Sequence, residues 1–135
     1  VPAPDPGAAR ERRALAWLWL IAALSAIALR PFWLALAGTA PVCAWHRLTG
    51  LPCLTCGGTR AAVAFLHGEL PTAFAWNPLV TLAGLLFLVG GLAAPLWARR
   101  GGPLPRIPNP LPRSWRLAVL ALVGANWLYL VLHRV

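Results

Sequence analysis

The sequence predicts an all-α integral membrane protein with three transmembrane helices and one short interfacial or re-entrant helix that follows a cysteine-rich loop. Three observations carry this reading. Hydrophobic residues make up 59% of the 135 residues against 11% charged, and mean hydropathy is +0.68. The apolar residues come in continuous runs rather than in amphipathic stripes. A span needs about 20 apolar residues to cross roughly 30 Å of hydrocarbon, and three such runs with one structured loop fill the chain.

Residues 1–13 are Pro, Ala and charge without periodicity and read as a mobile cytoplasmic tail, ahead of a single membrane domain over 14–135. The first span is expected over 14–36. Residues 10–28 imitate a signal peptide, with Ala26-Ile27-Ala28 as a cleavage box, but apolar character resumes after Arg30-Pro31, so an uncleaved span is expected. At Pro31 the helix either continues, with Arg30 snorkelling to the interface, or breaks and leaves 32–38 along the surface.

A cysteine loop and interfacial helix occupy 43–76. Within it, 59–67 reads as a helix closed by Gly68, and 71–76 as one further turn. Asn77-Pro78 then starts a second span over 78–97, Asn as N-cap and Pro at the first helical position. The run GGPLPRIPNPLPR ends it. Ser114 is expected to cap a third span over 115–132.

The net charge of +9 comes from twelve arginines and no lysine against Asp5, Glu11 and Glu69. Nucleic-acid binding is excluded as its purpose, because the arginines flank apolar runs instead of forming a stripe with interleaved aromatics. Arg10, Arg12 and Arg13 precede the first span; Arg99, Arg100, Arg106, Arg113 and Arg116 lie between the second and third. Arginine-rich flanks stay inside, which puts the N-terminus in the cytoplasm and the cysteine loop outside. Trp17, Trp33, Trp45, Trp76, Trp97 and Trp115 fall near span ends, where an aromatic belt places them.

All three cysteines lie in that loop. Cys43, His46, Cys53 and Cys56 form C-x2-H-x6-C-x2-C, two chelating pairs within the reach of a small zinc knuckle. Zinc is the favoured ion and copper the softer one. An exterior loop equally allows a disulfide of Cys43 with Cys53 or Cys56, a redox pair of Cys53 with Cys56, or plain buried thiols. Covalent haem is excluded, since Gly57 stands where C-x-x-C-H requires His.

Arg60 is costly near the membrane unless paired, and Glu69 is the one acid nearby, so a structural lock is expected, either Arg60 with Glu69 or Arg60 donating to backbone carbonyls of the cysteine loop, with anion binding by Arg60 as the functional option. Two of the three acids sit in the N-terminal tail, which leaves little for general acid–base catalysis and leans against an enzyme. Transport needs polar groups inside the spans, and Asn126 and Arg30 are the candidates.

The run from Cys43 through Leu-Thr-Gly, Pro-Cys-x-x-Cys-Gly-x-Thr-Arg-Ala, a Gly-acid pair and Asn-Pro-Leu resembles a bacterial family of small integral membrane proteins catalogued as a domain of unknown function. That family carries Pro-Gly between its paired cysteines where Leu54-Thr55 stand here. The resemblance implies a membrane location and a shared cysteine motif, and no activity. The expected function is an accessory or structural subunit of a bacterial membrane complex, carrying a cysteine-knotted exterior loop. The alternative is a thiol-redox or metal-handling membrane protein. Its partners are the lipid bilayer and other membrane subunits, and not nucleic acid.

Overall fold

Seven helices appear in the computed structural model, which describes residues 6–39, 43–101 and 112–133. They are α1 (Pro6–Ala28), α2 (Arg30–Gly38), α3 (Ala44–Thr49), α4 (Gly58–His67), α5 (Leu70–Trp76), α6 (Pro78–Arg99) and α7 (Arg113–Leu132), with no strand among the described residues. Helices α6 and α7 are each long and apolar enough to cross a membrane. Helices α1 and α2 meet that test only as one bent pair, so the described residues hold two or three candidate spans.

The helix starting at Pro6 reaches well into the tail expected over 1–13. Ala, Arg and Glu are strong helix formers, and Pro is tolerated at a first helical position. Residues 1–5 lie outside the described part, as does most of the Pro-Gly run with Arg106.

Of the two courses expected at Pro31, the helix takes the break, with α1 and α2 bent by 59°. The last α1-type bond runs from Leu29 N–H to the Ser25 carbonyl, and α2 restarts at Arg30. Pro31 is the cause, since it has no N–H to give residue 27 and its ring crowds that carbonyl. Helix α7 begins one residue before Ser114, with Pro112 at the cap position, so Ser114 lies inside the first turn instead of capping it.

The residues group into two compact units. One joins α1 to the part of α6 from Leu85 onward. Small residues let these backbones approach closely: Ala16, Ala23 and Ala94 are buried, and Gly91 lies against Ala23. Trp19 lies over Gly90 and donates its indole N–H to the Phe87 carbonyl at 3.0 Å.

The other unit holds α2 to α5, the start of α6 through Gly84, and α7. Helices α4 and α5 pack as a hairpin. Gly68, at φ 84°, supplies the left-handed turn between them, and it and Glu69 donate backbone N–H to the Phe65 and Ala64 carbonyls. Ala61, Ala64 and Ala73 are buried there. Three polar side chains, Asn77, Thr81 and Asn126, are buried as well.

Candidate functional site

The start of α6 is the platform on which the site is built. A helix leaves its first N–H groups without intrahelical partners, and near a membrane each one needs a partner. Pro78 removes one of them. Asn77 Oδ1 accepts from Val80 N–H at 3.1 Å, the N-cap expected from Asn77-Pro78. The remaining N–H, of Leu79, donates to Asn126 Oδ1 of α7 at 3.1 Å, so a second cap arrives from another helix.

The same two amides turn their nitrogens to the cysteine loop. Asn77 Nδ2 donates to the Cys56 carbonyl at 3.0 Å, and Asn126 Nδ2 to the Leu54 carbonyl at 3.4 Å. Trp127 Nε1 donates to the Pro52 carbonyl at 2.9 Å. Between these, Cys56 N–H closes on the Cys53 carbonyl, Gly58 N–H on that of Thr55 and Ala61 N–H on that of Gly57. Every carbonyl from Pro52 to Gly57 therefore has a donor. Gly57, at φ 73°, makes the left-handed step into α4 that a side chain would oppose.

This frame brings the three sulfurs together. Cys56 Sγ lies 3.1 Å and Cys43 Sγ 3.5 Å from Cys53 Sγ, and all three lie within 4.8 Å of one another. With those two short sides and that limit on the third, the angle at Cys53 is no wider than about a right angle, so the sulfurs form a triangle and not a line. All three are free thiols, Cys56 buried and the other two half-buried.

The thiols differ in acidity. The Thr55 hydroxyl, 3.4 Å from Cys53 Sγ, is the main group that lowers the Cys53 pKa to about 7, against the opposing effect of burial, with the Cys56 and Cys43 thiols assisting. Burial pushes Cys56 up to about 12, and the neighbouring Cys53 thiol adds to it. The Cys53 N–H donates to Cys56 Sγ at 2.9 Å and works the other way.

His46 does not join this group. It lies exposed on α3, a helix that begins immediately after Cys43 and was not foreseen in the cysteine loop. Arg60 and Glu69 form no ion pair. The Arg60 guanidinium lies 4.7 Å from the Trp76 ring centroid, while Glu69 is exposed ahead of α5 with no side-chain cap bond. The reason is local: the short hairpin places the Trp76 ring within reach, and an aromatic face suits a guanidinium near an interface.

Asn126 and Trp127 are the site residues that sequence reasoning missed in this role. Their partners lie 47 to 75 positions away, beyond any local pattern. The one available signal was a lone amide inside an apolar span, which must find partners.

Residues 43–91 match the family described as "Protein of unknown function (DUF2752)". The matched segment runs from Cys43 through α3, α4 and α5 into α6, and so contains the three cysteines and Asn77 but not α7. No curated protein and no solved structure matches the chain.

Proposed function

We propose that the chain is a metal-handling protein of a bacterial inner membrane, with its N-terminus inside and the three-thiol loop outside. The observation that supports this best is the sulfur triangle of Cys43, Cys53 and Cys56. Three thiols within 4.8 Å of one another are a metal-ligand arrangement, and hydrogen bonds to the loop carbonyls support the backbone that carries them. A thiol–disulfide relay is less well served. Exchange needs the attacking, central and leaving sulfurs nearly in line, and these three turn through a right angle or less. The orientation rests on the arginine flanks of the spans. The accessory-subunit reading draws on the exposed apolar faces of α7, at Leu117, Leu120 and Leu132, which suit lipid as well as a partner.

The test is thiol protection. Reduced protein in mild detergent is treated with a maleimide reagent, without metal and with one equivalent of Zn(II) or Cu(I). Loss of reactivity at all three cysteines on adding one of the ions is expected. Equal reactivity with and without either ion overturns the reading.

A further inference from the structure

Three donors are in place and a fourth is not. Among the described residues, His46, His67 and Glu69 are exposed and stand outside the group of ligand atoms that lie within 4.8 Å of one another. The neighbouring carbonyls from Pro52 to Gly57 are already engaged by N–H donors. The set of side-chain donors is therefore sulfur alone, three atoms in a triangle.

We infer that this triangle takes a soft, monovalent d10 cation, Cu(I) in chemical class, held by three thiolates. The inference rests on the metal-handling reading and narrows it. Zinc in structural protein sites is almost always tetrahedral with four donors, and the pattern C-x2-H-x6-C-x2-C supplied a fourth only through His46. Thiolate-only sites select soft ions, and Cu(I) is satisfied by three sulfurs in a plane. Each cysteine that binds releases its thiol proton to solvent, and no electron is exchanged. The Cys53 N–H on Cys56 Sγ and the Thr55 hydroxyl at Cys53 Sγ spread the negative charge that three thiolates leave around a monovalent ion. Cys43 and Cys53 are half-buried and Cys56 is buried.

The test uses the full chain in detergent, reduced and kept under anaerobic conditions. Cu(I) is delivered as its bathocuproine disulfonate complex, whose colour fades as the protein takes the ion, and Zn(II) is titrated separately against a chromophoric chelator. Expected are one Cu(I) per chain, an X-ray absorption spectrum of three sulfur neighbours, and a loss of Cu(I) affinity of at least about tenfold in Cys43→Ser with none in His46→Ala. The wild-type absorption spectrum keeps the test decisive if Cys43→Ser fails to fold. Tight Zn(II) binding with a fourth nitrogen or oxygen and weak Cu(I) binding overturns the cation class while metal handling stands. Cu(I) bound by two sulfurs and indifferent to Cys43→Ser overturns the three-thiolate site. Binding of neither ion overturns this inference together with the reading it rests on.

Discussion

Asn126 caps a helix to which it does not belong: its Oδ1 accepts the Leu79 N–H at the start of α6, and its Nδ2 reaches the Leu54 carbonyl of the thiol loop. One side chain thus joins α7, the first turn of α6 and the loop. Replacing it by Ala orphans a part-buried N–H and loosens a carbonyl. The cost of an unsatisfied buried group is about 1–3 kcal/mol, so Asn126→Ala should lower the detergent melting temperature clearly. An unchanged melting curve would show that the amide is idle.

At Gly91, α6 lies close against α1. A Cβ there would sit 2.6 Å from Ala23 Cβ and 3.1 Å from the Trp19 carbonyl oxygen, contacts that backbone movement alone can relieve. Gly91→Ala is expected to destabilise by about 1–3 kcal/mol, the usual cost of overpacking. Gly124→Ala, with open space around its Cβ, serves as the control and should leave stability near wild type.

In metal-free, reduced protein Cys53 should be alkylated first. Its pKa, lowered to about 7, makes the thiolate abundant from about neutral pH upward, while Cys56, raised to about 12, stays a thiol throughout the physiological range. Iodoacetamide labelling followed by mass mapping from pH 6 to 8.5 reads the order. The rate at Cys53 should climb through pH 7 and level off above it, and preferential labelling of Cys56 would contradict the assignment.

Arg60 and Glu69 separate two accounts of the α4–α5 hairpin. With the guanidinium over Trp76, Trp76→Leu should cost roughly 0.5–1 kcal/mol, the range for an exposed cation–π contact. Glu69→Gln should cost nothing measurable. The reverse ranking in thermal melts would restore the ion pair that sequence alone suggested.

Much of the second unit was legible because its punctuation is local. Gly68 closes α4 and Asn77-Pro78 opens α6 by rules that involve a few neighbouring residues, and the structure follows them. At the first expected span the sequence left two courses open at Pro31, because hydropathy averages across a break that one missing N–H creates. The site was half legible. Spacing marked Cys43, Cys53 and Cys56 but also enlisted His46, whose ring was removed from the group by the start of α3. The frame behind the thiols was hidden, since Trp127 and Pro52 are distant in sequence and both belong to ordinary apolar contexts.

The Trp127 and Asn126 bonds also set an order of events. A ribosome delivers Cys56 some seventy residues before Trp127, so the nascent loop has its sequence complete while two of its carbonyl anchors do not yet exist. Its final shape waits for α7, and until then the thiols are held by their own short turn and by the Asn77 bond to the Cys56 carbonyl.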